Sequence, residues 1–211
     1  VDIYDNILED HVAEYIHMEM KNLSWKYDYH SNKNKPNLHW HIFAGHNPEE
    51  VIKNGYDWLL PIWNTAKVKY DFEAKYFVED FVRLYMNAHT HGIEPHIHKD
   101  DGDFTMIYYP RLDWKLEWGG GTFVYDEKTT KVEKLVEYKG NRLIVFDAWR
   151  PHQAQSVRRE CYQLRTCVVF KVKATVSPSI AGLIEFQLLT GARPGEAVTV
   201  RLCDINVTNS I

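Results

Sequence analysis

The sequence has few cysteines, and their number bears on disulfide formation and on the cellular compartment that we expect for the protein. Its three cysteines, Cys161, Cys167 and Cys203, cannot form a closed set of disulfides. Such a chain fits a reducing compartment. The first residues are acidic at Asp2 and lack an apolar core segment, so we expect no secretory signal peptide. We therefore expect a cytoplasmic protein.

Long apolar runs and a strong charge of one sign are also missing. No stretch approaches 18 consecutive apolar residues, the length that predicts a membrane-spanning helix, so we expect no membrane partner. The formal net charge is -4, the sequence pI is about 6.3, and the lysines and arginines are scattered along the chain. This composition gives no electrostatic reason to expect nucleic-acid binding. The sequence also lacks internal repeats and low-complexity segments.

The N-terminal third of the chain predicts two helices and a hairpin. Residues 5–22 place apolar side chains at helical spacing, and Asp5 is a suitable N-cap. Residues 24–46 alternate aromatic and polar residues around a polar turn at Ser31–Asn34, which predicts a β-hairpin. A second helix is predicted from Asn47 to about Asn64, with Pro48 in its first turn.

Beyond residue 67 the sequence changes to short β-rich runs separated by glycine-containing turns. With 45% hydrophobic residues in 211, the chain can bury one substantial core. Many short strands at this spacing predict a jelly roll, a mainly β fold that follows the N-terminal helices. The predicted strands are 68–72, 80–88, 94–99, 104–109, 121–125, 132–137, 141–148, 152–156 and 163–173.

Two histidines and one aspartate have an order that is typical of an iron site. On a strand, residues i and i+2 share a face roughly 6–7 Å apart, so His98 and Asp100 can both point inward. His152 follows much later in the chain. Two imidazoles and one carboxylate leave open positions on a metal, which suits a non-haem Fe(II) oxygenase. His96 lies on the same predicted face, so a cupin-type site of His96, His98 and His152 is the alternative.

Four further motifs follow the H-x-D pair in a fixed order. They are a strand with paired tyrosines at 105–109, Trp114 with the glycines 119–121, an apolar strand at 141–146 before His152, and Arg165 before a last apolar strand. In this order, residues of about 84–173 resemble the prolyl-hydroxylase-like branch of the Fe(II)/2-oxoglutarate-dependent oxygenases. The resemblance implies a double-stranded β-helix that hydroxylates a C–H bond.

The resemblance also implies roles for single residues. His98, Asp100 and His152 would hold Fe(II), and Arg165 would bind the distal carboxylate of 2-oxoglutarate with its planar fork. Tyr108 would add a hydroxyl hydrogen bond to the same carboxylate. O2 would be consumed, and succinate and CO2 released. The expected substrate is a prolyl or other side chain of a protein or peptide, or a small molecule.

Two assignments within this set stay open in the sequence. Arg165 lies further beyond His152 than the basic residue of close prolyl-hydroxylase relatives, so Arg158 and Arg159 are rivals for the cosubstrate carboxylate. We prefer Arg165 because a hydrophobic strand follows it directly and fixes its direction. The remaining candidates, His96 and Trp114, are assigned to a possible substrate pocket. A cupin-type dioxygenase without 2-oxoglutarate, or a non-catalytic metal- or sugar-binding jelly roll, would not need an arginine behind the metal.

The last part of the chain has a different character. Residues 1–175 are predicted to form the oxygenase domain, and residues 176–211 a C-terminal tail of uncertain origin. Within the tail, Thr190–Glu196 is similar to the arginine box of tyrosine recombinases, with Arg193 in the arginine position. The other catalytic boxes of that family are absent from the sequence. An active recombinase is therefore excluded.

Overall fold

Two antiparallel sheets form the framework of the protein. The computed structural model describes residues 1–30, 38–72, 78–129 and 131–174. The strands of the larger sheet, in spatial order, are β1 (Asp2–Asp5), β8 (Arg142–Asp147), β5 (Phe104–Tyr109), β10 (Arg165–Val172), β4 (Phe81–His89), β3 (His39–Gly45) and β2 (Lys26–Tyr29). The smaller sheet has the order β7 (Val132–Val136), β6 (Thr122–Tyr125), β9 (His152–Ala154).

From β4 onward the chain passes back and forth between the two sheets. After β4, a backbone bridge joins His98 to His152 of the smaller sheet, and the chain returns to the larger sheet as β5. Strands β6 and β7 then lie in the smaller sheet, β8 in the larger, β9 in the smaller and β10 in the larger. This winding is a double-stranded β-helix. The predicted jelly roll with N-terminal helices is confirmed.

Each face of the larger sheet has its own apolar core. On β10, Cys167 and Val169 pack inside the β-helix, while Val168 and Phe170 face a second core. The helices supply the other side of that second core. They are α1 (Asp10–Asn22), α2 (Pro48–Lys53) and α3 (Leu60–Lys69), and their buried side chains include Ile16, Val51 and Trp63. Burying one such aliphatic side chain stabilises the fold by about 1.5–3 kcal/mol. The helices therefore pack against one face of the larger sheet, and the opposite face lines the candidate site.

The structure corrects several predicted boundaries. The first predicted helix begins only at Asp10 with Glu9 as its N-cap, because the predicted N-cap Asp5 is the last residue of β1 and pairs with β8. The second is interrupted after α2 at Gly55, whose φ of +78° does not continue a helix, and a short 3-10 helix precedes α3. The predicted strand 68–72 is wrong, since α3 extends to Lys69. The segment 94–99 forms the isolated bridge at His98 and no strand.

The predicted hairpin is confirmed in its strands, because β2 and β3 pair antiparallel with Tyr27 opposite Trp40. Its predicted turn at Ser31–Asn34 lies outside the described residues, and so does the tail of residues 176–211. Within the described ranges, no helix has the length and apolar character needed to cross a membrane.

Candidate metal centre

The structure brings His98, Asp100 and His152 together. One ligand atom of each lies within 4.8 Å of the others, and this is the one such cluster in the part of the chain that the structure describes. His98 and His152 exchange backbone hydrogen bonds of 3.0 and 2.9 Å, and Asp100 N donates to Ala148 O at 2.9 Å. Main-chain pairing thus fixes all three side chains, although they are far apart in sequence.

Both imidazoles are oriented for metal binding. The Nδ1 atoms of His98 and His152 lie 2.9 Å from the carbonyl oxygens of His96 and Arg150. Because a carbonyl only accepts, each Nδ1 carries the hydrogen and each Nε2 keeps its lone pair for the site. Burial lowers the pKa of His98 to about 3 and that of His152 to about 4. Both rings are therefore neutral at pH 7, as a metal ligand must be.

The Asp100 carboxylate closes the cluster between the two rings. Its Oδ1 lies 3.6 Å from His98 Nε2 and its Oδ2 lies 3.2 Å from His152 Nε2. The Thr105 hydroxyl donates to Oδ2 at 2.7 Å, and Lys171 Nζ contacts the same oxygen. Two imidazole nitrogens and one carboxylate form a donor set that suits Fe(II) and leaves positions open on it.

The cluster lines a cavity between the two sheets. The inward face of β10 presents Arg165, Cys167, Val169 and Lys171 to this cavity in order. Since Lys171 contacts Asp100, Arg165 lies at the opposite end of this row from the metal ligands. The cavity therefore has a metal-binding end and an end with a buried guanidinium.

Arg165 is 1% exposed and has no acidic partner among the described residues. Its Nε donates to Gly120 O at 2.6 Å, one Nη to Gly121 O at 3.4 Å and the other to Cys167 Sγ at 3.4 Å. Three of the five N–H groups of the guanidinium thus have partners, and two remain. A buried cation without a counterion is costly, so this position suits an anionic ligand.

The carbonyls that hold Arg165 come from a glycine loop. Gly120 has a φ of +78°, and a Cβ at this position would lie 3.0 Å from Trp114 Cζ2 and 3.3 Å from Arg165 Cγ. Trp114 Nε1 donates to Gly119 O at 2.9 Å. Trp114 does not line the cavity, so its assignment to the substrate pocket is corrected. It packs behind the loop and supports Arg165 indirectly.

Tyr108 is not brought to the site. It lies on the face of β5 that packs against the helices, and its hydroxyl donates to Asn141 Oδ1 at 3.4 Å. Side chains alternate along a strand, so the neighbouring Tyr109 faces inward. The Tyr109 ring lies 5.7 Å from Arg165 Cζ, and its hydroxyl is 2.6 Å from Thr122 Oγ1, whose residue lines the cavity.

The two rival arginines are also placed. Arg158 and Arg159 are exposed in the turn before β10, and neither lines the cavity. Of the three arginines considered in the sequence, Arg165 is the one at the site. Its position supports the preference for it.

Histidines that sequence reasoning did not assign form one wall of the cavity. His39 and His89 line it together with the predicted pocket residue His96. His39 Nε2, His89 Nδ1 and His96 Nε2 are buried and have no hydrogen-bond partner in the described structure. His39 comes from β3 and is brought to the site by pairing with β4, which the local sequence does not reveal. These nitrogens are available to a polar group of a ligand.

Because these histidines are buried, we expect the metal-free protein to lose stability in mild acid. Burial, and then the neighbouring His41, lower the pKa of His39 from 6.5 to about 4. Between these values the unfolded chain binds a proton that the folded protein does not bind. The free energy of unfolding should therefore fall by about 1.4 kcal/mol per pH unit for such a residue. Urea unfolding at pH 7, 6 and 5 measures this decline, which should be smaller in His39→Gln. If the free energy of unfolding fell equally with pH in both proteins, the lowered pKa of His39 would be contradicted.

The fold and the cluster define a double-stranded β-helix with a candidate metal site, and comparison with known proteins narrows this class. Residues 81–171 match the model of the 2OG-Fe(II) oxygenase superfamily. The comparison with curated proteins gives no significant match. The family match ends before the tail, so it gives no support to the similarity with a recombinase arginine box.

Several solved structures share the fold. One is a prolyl hydroxylase from Trichoplax adhaerens, in complex with a peptide fragment of the hypoxia inducible factor oxygen degradation domain (13% identity, TM-score 0.55, 91% of this chain and 87% of that chain). Another is a prolyl-4-hydroxylase from Pseudomonas putida (14%, 0.56, 82% and 92%). A third is the non-haem α-ketoglutarate-dependent epimerase SnoN of nogalamycin biosynthesis (14%, 0.56, 82% and 78%). At these identities the likeness shows the fold alone.

The matched residues 81–171 include the His–Asp–His cluster and Arg165, so this part of the chain is similar to the 2OG-Fe(II) oxygenases at its candidate metal site. This family implies Fe(II), 2-oxoglutarate and O2 as cofactor and cosubstrates. The donor set fits Fe(II), and the unpaired guanidinium of Arg165 fits a dicarboxylate.

Proposed function

We propose that this protein is an Fe(II)- and 2-oxoglutarate-dependent hydroxylase that acts on a C–H bond of its substrate. The observation that carries the proposal is the buried Arg165 without an acidic partner, in the same cavity as His98, Asp100 and His152. A metal site alone would suit many functions. A fixed cation at a distance from the metal suits a cosubstrate that has a carboxylate at each end.

In this proposal the side chains bind the metal and the cosubstrate, orient them and exclude water from the site. His98, Asp100 and His152 hold Fe(II) on one side, and Arg165 binds the distal carboxylate of 2-oxoglutarate through its two remaining N–H groups. Thr122 lines the cavity, and its hydroxyl lies 2.6 Å from that of Tyr109, so in this proposal it would take the place of Tyr108 as the hydroxyl near this carboxylate. When bound, the iron with 2-oxoglutarate and O2 supplies the oxidant for the C–H bond, with release of succinate and CO2.

The size of the cavity limits the part of the substrate that enters. Its volume is about 250 Å³, whereas pockets that enclose a drug-sized ligand have roughly 300–1,000 Å³. After the cosubstrate is bound, little more than a side chain or a similarly small group fits. A prolyl or other side chain of a protein or peptide agrees with this limit, and so does a small molecule. The unpartnered nitrogens of His39, His89 and His96 would contact this group.

The two alternatives from the sequence have less support. In a cupin-type site His96 would replace Asp100, but His96 is not in the cluster, and its carbonyl instead accepts from His98. A non-catalytic binding jelly roll gives no reason for the buried cation at Arg165. Neither alternative explains both ends of the cavity.

We also propose that residues 1–175 are the catalytic domain and that residues 176–211 are not required for catalysis. The proposal is supported by the end of β10 at Val172 and the end of the family match at residue 171. The scattered charges and the three cysteines favour a cytoplasmic protein without a nucleic-acid partner.

The test is the release of succinate from 2-oxoglutarate by the iron-loaded protein across a panel of peptides and small molecules. We expect Fe(II)-dependent succinate release that a substrate stimulates, with a mass increase of one oxygen in that substrate. A chain that ends at Val176 should show the same turnover. Oxygen consumption without 2-oxoglutarate would favour the cupin alternative, and stimulated turnover without oxygen insertion would exclude hydroxylation.

A further inference from the structure

A buried lysine next to the metal ligands has no role in the proposed reaction. Lys171 is 2% exposed, and its side chain points into the cavity from the end of β10. Lysine is rarely buried without a partner, because its amino group must be hydrogen-bonded or paired. Its contacts therefore indicate what it does.

Those contacts converge on Asp100. Lys171 Nζ contacts Asp100 Oδ2, lies 3.4 Å from Thr105 Oγ1 and sits 5.7 Å from the centre of the Tyr85 ring. Thr105 Oγ1 itself donates to Asp100 Oδ2 at 2.7 Å. Asp100 is the one carboxylate that Lys171 contacts in the described ranges. Lys171 and Thr105 thus place two hydrogen-bond donors on one carboxylate oxygen.

The second oxygen of Asp100 has a different environment. Oδ1 lies 3.6 Å from His98 Nε2, and no N–H or O–H group donates to it among the described residues. The neighbouring cation Arg83 is directed elsewhere, because it pairs with Asp101. The two oxygens are therefore unequal before any metal binds. Both face an imidazole Nε2, since Oδ2 lies 3.2 Å from that of His152, but Oδ2 alone also accepts from Thr105 and contacts Lys171.

We propose that Lys171 is a positioning residue that, with Thr105, holds Asp100 through Oδ2 so that the metal binds through Oδ1. This inference rests on the proposed function, since it assumes that Asp100 is a metal ligand. Partners of this kind orient the ligands of metal sites, and their loss typically weakens metal affinity by about 10–100-fold. Ligation through a single oxygen would also keep positions on the metal open for the cosubstrate and O2.

The charge of Lys171 alone predicts the opposite effect on metal affinity. The direction of the measured change therefore distinguishes the two roles. An ammonium group beside a divalent ion repels it, so a lysine without a positioning role would weaken metal binding. Its removal would then tighten binding. The positioning role requires that removal weakens it.

The experiment measures the binding of Mn(II) alone, by electron paramagnetic resonance, to the full chain without 2-oxoglutarate or substrate. Lys171→Met retains a long flexible stem and removes the donor, and we expect its Kd for Mn(II) to rise about 10–100-fold. Thr105→Val should also raise the Kd for Mn(II). The double variant should lose less than the product of the two effects, because both donors act on one oxygen. Lys171→Arg, which keeps the donors, should recover much of the affinity.

Spectroscopy and controls separate the possible outcomes. The absorption bands of bound Co(II) should change in Lys171→Met if Asp100 loses its fixed orientation. Unchanged or tighter Mn(II) binding in a folded Lys171→Met protein would overturn the inference. If that variant does not fold, Thr105→Val decides alone, and unchanged binding there overturns it as well. Failure of the original chain to bind Mn(II), or binding that survives Asp100→Ala, would instead contradict the proposed function.

Discussion

Replacing His152 by alanine should abolish the metal centre. His98, Asp100 and His152 are the whole of the described cluster, and removal of one leaves two ligands. The remaining carboxylate and imidazole offer too few protein donors for a stable Fe(II) site. Anaerobic addition of Fe(II) and 2-oxoglutarate to the unchanged protein should give the weak visible charge-transfer band of an iron-chelated 2-oxo acid. The band should be absent in His152→Ala and in His98→Ala.

The matched control for this experiment is His96→Ala. His96 lines the same cavity and is next but one to His98, yet it does not belong to the cluster. Its replacement should leave the band in place. A band that survives both His98→Ala and His152→Ala, and that His96→Ala removes, would show that the metal binds elsewhere in the cavity.

The order of short strands predicted the jelly roll, and the resemblance to the prolyl-hydroxylase-like oxygenases supplied most of the residues that the structure brings together in the candidate site. His98 and Asp100 were selected by their H-x-D spacing, and His152 because an apolar strand precedes it. Arg165 could be preferred over Arg158 because a buried strand fixes its direction. In the structure it is buried and they are exposed.

The errors at the site come from the phase of a strand and from contacts distant in sequence. Tyr108 and Tyr109 are adjacent, and the motif alone does not say which one faces inward. The period of two, counted from Thr105 as a cavity residue, selects Tyr109, but Thr105 is identified only by its contact with Asp100. The same counting from Arg165 leads to Lys171, so that signal was present in the sequence. His39 had no such signal, because the pairing of β3 with β4 brings it to the cavity.

Replacing Arg165 by alanine should weaken the binding of 2-oxoglutarate by about 30-fold or more. Removing one partner of a buried, charge-assisted pair costs about 2–5 kcal/mol, and each 1.4 kcal/mol changes a dissociation constant about tenfold. The loss should appear in the Kd for 2-oxoglutarate, measured by calorimetry on the metal-loaded protein. Metal binding alone should change little, because Arg165 lies at the other end of the inward face of β10 from Lys171 and Asp100.

Two further variants define what Arg165 contributes. Arg165→Lys retains a positive charge but not the planar fork held by Gly120 and Gly121, so it should recover only part of the affinity. Arg158→Ala removes an exposed arginine from the turn before β10 and should leave the Kd unchanged. A larger loss in Arg158→Ala than in Arg165→Ala would move the cosubstrate carboxylate to that turn. In that case the buried guanidinium of Arg165 would have no carboxylate partner from the cosubstrate. A different anion would then have to bind it.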